Sequence, residues 1–317
     1  MAEINTNIEK AVDLLMQDEL VAIPTETVYG LAGNALSKQA VAKIFSVKDR
    51  PQFDPLIVHV PNLSKAEEYV TEIPPVARLL AEKFWPGPLT LVFKKKDIIP
   101  PLVTSGLDTV GIRCPDHPIT RQLLQKLPFP LAAPSANPFG YVSPTKPEHV
   151  NEQLGSKIQY ILDGGVCPVG IESTIIGFEN NEPVVYRLGG LSLENIEAAI
   201  GPVKVMAHST SNPKTPGQLK SHYAPTKKVM IGKIDTMLQE YPHKKKGILS
   251  FQHDFGMANQ IILTPSGNTE EAAQHLFEAL RSFDKMDVDI ILTELVPDQG
   301  LGRAINDRLR RASSEKI

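Results

Sequence analysis

Residues 130–145 read PLAAPSANPFGYVSPT. Leu131-Ala132-Ala133 is a short apolar run whose small side chains suit a buried strand with backbone packed closely against it. Pro134 stops that strand, because it has no N–H to give a ladder. Ser135-Ala136-Asn137, Gly140 and Ser143 then crowd small hydroxyl and amide groups at the strand end and the loop after it. Open α/β sheets bind ligands at the carboxyl ends of their strands. The same residue types are also the ordinary vocabulary of turns, so the stretch alone supports either reading.

Other strand ends repeat the arrangement. Leu20–Ile23 is apolar and stops at Pro24, followed by the polar Thr25-Glu26-Thr27-Val28-Tyr29-Gly30. Leu56–Val60 (LIVHV) carries His59 inside an apolar run, and Val110–Arg113 ends on a cation. GIESTII (170–176) and VVYRLGG (184–190) place Ser173-Thr174 and Arg187 in similar surroundings. Between these runs the pattern is helical. Ile8, Ala11, Val12, Leu15 and Met16 share one face of a helix expected near 4–17. Ser37 is placed to cap a helix carrying Val41, Ile44 and Phe45, ended by Lys48-Asp49-Arg50-Pro51. Further helices are expected after Ser64, from Pro74-Pro75, near 118–127, near 147–154 and at 192–200, with strands at 89–93, 159–162, 173–178 and 183–187. Strands and helices mix without a regular βαβ repeat, which predicts a mixed sheet with flanking helices.

Residues 202–226, PVKVMAHSTSNPKTPGQLKSHYAPT, are polar and rich in Pro, Ser and Thr. They divide an expected unit 1–201 from an expected unit 227–317, and their length suits a lid or binding loop better than a plain spacer. The second unit alternates strands (229–232, 248–251, 261–263, 288–292) with helices (235–240, 269–283, 302–311), a small α/β domain with parallel-sheet rhythm. It carries no G-x-G-x-x-G after its first strand, so nothing motif-like points to a dinucleotide there.

The 317 residues suffice for two domains, and 42% apolar with 22% charged residues is the balance of a soluble globular chain. No apolar run approaches the ~18 residues of a membrane span. The acidic N-terminus does not read as a signal peptide, so the expected location is the cytoplasm. Cys114 and Cys167 are the only cysteines, which argues against a disulfide framework or a structural zinc. Net charge is −3. Residues 227–317 hold 13 Lys+Arg against 13 Asp+Glu, leaving 20 against 23 for residues 1–226. Neither unit is a basic module of the kind that binds nucleic acid tightly and non-specifically.

Four candidates for chemistry each carry a plain alternative. Lys48 and Arg50 flank Asp49 before Pro51; they are either solvated surface charge or a cation pair facing an anion such as a polyphosphate. His59 is either a satisfied core histidine or a functional one. Arg113 and Arg187, each on a buried strand, need an anion, supplied by a protein carboxylate or by a ligand. Tyr223, in SHYAP, is either a packing anchor or a stacking face for a nucleobase.

Taken together and in order, PTETVYGL, KDRP with PLIVHV, WPGPLTLV, VGIRCPDHP, AAPSANPFG with SPT, GIESTII and YRLGG resemble the L-threonylcarbamoyladenylate synthase (YrdC-like) family. TPGQLKSHYAP and GLGRAINDRLRRA resemble its two-domain form. The resemblance implies a YrdC-like mixed twisted sheet followed by a smaller Rossmann-like α/β domain, with residues 202–226 as a lid. It implies an ATP-dependent enzyme that joins L-threonine, bicarbonate or CO₂ and ATP into threonylcarbamoyl-AMP and pyrophosphate. Magnesium would accompany ATP. The product would pass to the tRNA threonylcarbamoyl transferase machinery, and the resemblance allows a weak tRNA contact.

Carried over position by position, Arg113 would hold the threonine carboxylate, with Thr27, His59, Ala133 and Ser173 around the amine and hydroxyl. Lys48, Arg50, Asp54, Thr109, Ser135, Asn137, Ser143, Arg187 and Tyr223 would surround ATP, Lys48 and Arg50 as the catalytic cations. Asp54 departs from the Asn often found there, and a carboxylate beside ATP phosphates would repel them unless it faced away or bound magnesium. The competing reading is a tRNA- or double-stranded-RNA-binding translation factor without nucleotidyl transfer, which the neutral-to-acidic charge balance disfavours.

Overall fold

The computed structural model describes residues 1–206 and 223–314. The linker residues 207–222, the greater part of the expected lid, lie outside the described residues.

In chain order the first unit comprises β1 (Glu3–Asn5), α1 (Ile8–Met16), β2 (Val21–Ile23), β3 (Gly30–Asn34), α2 (Lys38–Lys48), β4 (Ile57–His59), α3 (Leu63–Ala66) and α4 (Pro75–Phe84). There follow β5 (Leu89–Lys94), β6 (Thr109–Arg113), α5 (Pro118–Lys126), β7 (Leu131–Ala132), α6 (Pro147–Leu154), β8 (Tyr160–Leu162), β9 (Thr174–Glu179), β10 (Glu182–Arg187), α7 (Leu193–Ile200) and β11 (Lys204–Val205). The strands join in the order β1-β8-β2-β3-β7-β4-β6-β5-β9-β10-β11, with parallel and antiparallel pairs mixed.

Alternation along the strands loads both faces of this sheet. One core packs α2, α4 and α7 on Val58, Leu91, Ile112, Ile176 and Val185; another packs α1 and α5 on Val21, Ile23, Leu131 and Tyr160. The helix ends follow the local chemistry. Ser37 accepts the Ala40 N–H at 3.2 Å and caps α2, which ends on Asp49 in the left-handed conformation. Pro75, Pro118 and Pro147 each occupy a first helical turn, where the missing N–H costs nothing.

The helix expected near 4–17 begins only at Ile8, because Glu3–Asn5 pairs with β8 as a strand. The helix expected after Ser64 is one turn, Leu63–Ala66. The strand Gly30–Asn34 was not anticipated, because GLAGN is poor in β-branched and aromatic residues. It forms because it lies between β2 and β7, where the close packing has no room for a larger side chain. A Cβ on Gly33 would sit 2.9 Å from Leu20 Cδ2.

The second unit comprises β12 (Lys228–Ile231), α8 (Ile234–Glu240), β13 (Lys246–Ser250), β14 (Gln260–Ile262), α9 (Thr269–Lys285), β15 (Ile290–Thr293) and α10 (Gly302–Ser313). Its four strands, ordered β12-β15-β13-β14, are all parallel, as the sequence rhythm predicts. The two units share a core in which Val28, Val142 and Ile171 pack with Phe277, Leu280 and Leu309.

Candidate active site

The strand ends converge. In the parallel pair β4/β6, His59 lies in register with Arg113, so both side chains arrive at one end of the sheet. Gly30 bridges to Ser135, which brings the loop after β7 to the same place. A recess there is lined by Thr25 after β2, His59, Arg113, Ala133 and Ser135, by Glu172 and Ser173 before β9, and by Arg187 at the end of β10. Arg50 and Tyr223 complete the wall.

The cations are buried and engaged. Arg113 Nη2 lies 2.7 Å from Glu26 Oε1, an ion pair without good hydrogen-bond alignment, and Glu26 Oε2 accepts the Asp116 N–H at 3.0 Å. The anion that Arg113 requires is therefore supplied, in this state, by the protein. Arg50 donates Nε to the Asp54 carbonyl at 3.1 Å and Nη2 to the Pro55 carbonyl at 2.9 Å, and pairs with the Asp54 carboxylate at 2.9 Å. Burial pushes the Asp54 carboxyl up, while Arg50 and then Lys48 pull it back. Arg187 donates Nε to the Ser173 carbonyl at 3.0 Å and Nη2 to Ser173 Oγ at 3.1 Å. Ser173 Oγ in turn lies 2.7 Å from Thr90 Oγ1. Burial lowers Arg50 and Arg187 from the usual arginine range, yet guanidinium stays charged in proteins.

His59 is held neutral. Burial first, and the neighbouring Arg113 second, bring its pKa down to about 3. Its Nδ1 has no hydrogen-bond partner among the described residues.

Lys48 is held by backbone carbonyls of the loop after β7. Its Nζ, buried, donates to the Ser135 carbonyl at 2.5 Å and also to the Asn137 carbonyl. Burial and then Arg50 lower its pKa well below the ordinary lysine value. It ties the end of α2 to the loop that opened the sequence reading. Asn137 likewise turns inward, donating Nδ2 to the Pro138 and Tyr141 carbonyls, each at 2.9 Å.

Of the residues singled out in the sequence, Arg50, His59, Arg113, Ala133, Ser135, Ser173, Arg187 and Tyr223 line one recess. Thr27, Lys48, Asp54, Asn137 and Ser143 stand behind the wall. Thr27 Oγ1 meets Thr25 Oγ1 at 2.8 Å, and Ser143 Oγ donates to Glu172 Oε1 at 2.5 Å. Thr109 is the exception. It begins β6 while Arg113 ends it, about 13 Å away along a strand, and it lines a separate cavity with Lys94, Asp108 and Tyr186.

Three acidic or basic residues belong here that sequence reasoning did not assign. Glu26 and Glu172 lie within the quoted motifs, and a carboxylate at a buried strand end needs a cation as surely as Arg113 needs an anion. Arg308 stands in the quoted GLGRAINDRLRRA, but an arginine in a basic helix reads as solvated, so the sequence assigns it no role in the site. It is fully buried: Nε bonds Glu172 Oε2 at 2.9 Å, Nη2 bonds the Leu188 carbonyl at 3.0 Å, and the guanidinium lies 4.9 Å from the Tyr223 ring centroid. Tyr223, at φ 64°, also stacks on Phe277 of α9 at 5.6 Å.

Two family models match the chain in tandem. One, for Sua5, YciO and YrdC and described as "Telomere recombination", covers residues 13–189; the other, "Threonylcarbamoyl-AMP synthase, C-terminal domain", covers residues 191–314. The chain belongs to the Sua5/YciO/YrdC family.

Some relatives within this family match nearly from end to end. Threonylcarbamoyl-AMP synthase of Bacillus subtilis is 41% identical over 332 residues, spanning 99% of this chain and 96% of that protein. The Pyrococcus abyssi enzyme of the same name is 42% identical, spanning 98% and 95%. The crystal structure of P. abyssi Sua5 complexed with L-threonine shares the family fold with a TM-score of 0.93 at 39% identity, covering 98% of this chain and 97% of that one.

Proposed function

We infer that this chain is an L-threonylcarbamoyladenylate synthase, an enzyme that transfers AMP from ATP. The observation that carries the inference is the recess itself. Three buried guanidiniums, Arg50, Arg113 and Arg187, converge with the neutral His59 and the hydroxyls of Ser135 and Ser173, on a chain matched over nearly its whole length by enzymes of that name. Two anionic substrates fit such a lining: the carboxylate of an amino acid and the polyphosphate of ATP.

The chemistry proceeds in two steps. The unprotonated threonine amine adds to the carbon of CO₂ and gives up a proton, leaving a carbamate. A carbamate oxygen then attacks the α-phosphorus of ATP; the bond from that phosphorus to the bridging oxygen breaks, and pyrophosphate leaves with the electron pair. Neither step requires a protein nucleophile. Both require positioning and a fixed field of positive charge.

Arg113 would hold the threonine carboxylate, oriented by Glu26. His59, neutral throughout the physiological range, would accept a hydrogen bond at Nδ1 from the amine or hydroxyl without adding charge. Arg50 and Arg187 would face the phosphates, with Ser135 as a neutral donor and Tyr223 against the nucleotide. Lys48, Asn137 and Ser143 would hold the loop and wall that present these groups. We propose residues 1–201 as the catalytic domain and 227–317 as a second domain.

The described residues offer magnesium no cage. No three His, Cys, Asp or Glu side chains come together, and the nearby carboxylates of Glu26, Asp54 and Glu172 are each committed to an arginine. Magnesium would therefore be held chiefly by ATP phosphates and water, and no step is assigned to it. Hand-over of the product to a tRNA-modifying transferase belongs to the same proposal; among the described residues no helix is long and apolar enough to cross a membrane.

The test is direct. Incubation with L-threonine, bicarbonate and Mg-ATP is expected to release pyrophosphate and yield threonylcarbamoyl-AMP only when all three are present. Pyrophosphate release indifferent to threonine would overturn the assignment.

A further inference from the structure

We propose that Arg308, reaching in from the second domain, is a positioning residue for the reaction: it neutralises Glu172 on the recess wall and braces Tyr223 beside it. The proposal rests on reading the recess as the ATP site.

Glu172 is the only carboxylate among the described residues that line the recess. An unpaired carboxylate there would oppose the binding of a polyphosphate. Arg308 is the group that cancels it. The two are 136 positions apart in sequence and 2.9 Å apart in space, and the Ser143 hydroxyl occupies the other carboxylate oxygen. The Arg308 side chain is fully enclosed, so its charge is not dissipated in solvent. Its remaining donors are spoken for as well: Nη1 by Asp307 at 2.7 Å and Nη2 by the Leu188 carbonyl, just beyond Arg187. Asp307 is shared with Arg311, whose Nε lies 2.9 Å from it, so Arg308 keeps charge to offer Glu172.

The same guanidinium lies over the ring of Tyr223, which is, among the described residues, the one lining residue that follows the first sheet in sequence. Arg308 thus connects two things that a polyphosphate requires: an electrostatically clean wall and a fixed aromatic beside it. A helix of the second unit thus contributes to a recess whose other charged groups, among the described residues, come from the first.

A purely structural Arg308 and an electrostatic one differ in how they answer to a second substitution. In the full chain, Arg308→Met is expected to weaken binding of magnesium α,β-methylene-ATP, measured by calorimetry, at least tenfold. Threonine affinity measured without nucleotide should change less than threefold. Combining it with Glu172→Gln removes the stranded charge. The double variant is expected to bind the analogue within about threefold of Glu172→Gln alone, even where its melting temperature stays low. A double variant as weak as Arg308→Met, or an Arg308→Met that binds like wild type, would overturn the proposal.

Should Arg308→Met not fold, Arg308→Lys keeps the charge but shortens the reach and loses the fork. A partial loss of analogue affinity, relieved by Glu172→Gln, is then expected; a loss of the same size with and without the Glu172 charge overturns the proposal. Binding is scored without turnover. A wild-type chain that binds the analogue but releases no threonine-dependent pyrophosphate would sink the reaction reading alone, whereas failure of the suppressor sinks the Arg308 assignment alone.

Discussion

Arg113 and Glu26 form a buried pair in which each is the other's only charged contact at short range in the described structure. Removing one partner of such a pair leaves an uncompensated charge, typically a loss of about 3–5 kcal/mol. Arg113→Ala is therefore expected to lower stability, and to raise the KM for threonine at least tenfold while analogue binding changes only a few-fold. Steady-state kinetics with each substrate varied separately would check it, and equal damage to both substrates would contradict the division of roles. His59 gives a pH prediction. An unfolded histidine titrates near 6.5, whereas the folded site refuses the proton until about pH 3. As pH falls through 6.5, the unfolded chain takes up a proton that the folded chain does not, so stability falls between roughly pH 6.5 and 3. His149, also brought down to about 3 chiefly by burial, adds a second such group. His59→Gln is expected to remove one such contribution, sparing about 2–3 kcal/mol of the stability lost between pH 7.5 and 4.5. Urea unfolding at the two pH values measures this, and an unchanged difference would count against a buried neutral His59.

At the scale of elements, α2 and the loop after β7 behave as one part. Lys48 at the end of the helix holds two loop carbonyls, and its own carbonyl accepts the Phe139 N–H at 2.9 Å. Lys48→Met would strand the Ser135 and Asn137 carbonyls in a buried place, at a cost of about 1–3 kcal/mol for each group left unsatisfied. The loop is expected to loosen, raising the KM for ATP more than that for threonine. Lys48→Arg would not restore it, since the fully enclosed space that holds one ammonium nitrogen has no room for the larger planar guanidinium. Recovery by Arg would show that charge alone matters. This is also where the limits of legibility are clearest. That the loop follows a strand and carries small polar groups could be read from Pro134 and from Ser135 to Ser143. That Lys48 points into the loop could not, because a lysine at a helix end has the same sequence signature whether solvated or buried. The strand at 30–34 escaped for a related reason. Its residues are chosen for thinness between neighbours, and thinness leaves no hydrophobic alternation to detect. Arg113 was the opposite case, since a buried strand ending in arginine demands an anion whatever the fold.

At the scale of the molecule, the recess depends on how closely the two units approach. Arg281 of α9 donates to the Ser143 carbonyl at 3.3 Å and to the Val142 carbonyl, and its guanidinium lies 5.0 Å from the Tyr141 ring centroid. Asp284 of the same helix accepts from the Tyr141 hydroxyl and from the Thr226 N–H and hydroxyl. The approach is close at Gly170, whose φ of 77° suits glycine and whose missing Cβ leaves room for the helix backbone. A Cβ built there would lie 2.4 Å from Gln274 Cα and 2.6 Å from the Ala273 carbonyl oxygen. Those atoms belong to the second turn of a seventeen-residue helix and cannot step aside singly. Gly170→Val is therefore expected to push α9 away as a body, carrying off the supports of Tyr223 and Glu172 while the cores beneath α1, α2 and α4 stay intact. The signature would be far-ultraviolet dichroism close to wild type, a larger radius of gyration by solution scattering, and at least tenfold slower threonine-dependent pyrophosphate release. Scattering and turnover both like wild type would mean that the contact between the two units is not what shapes the site.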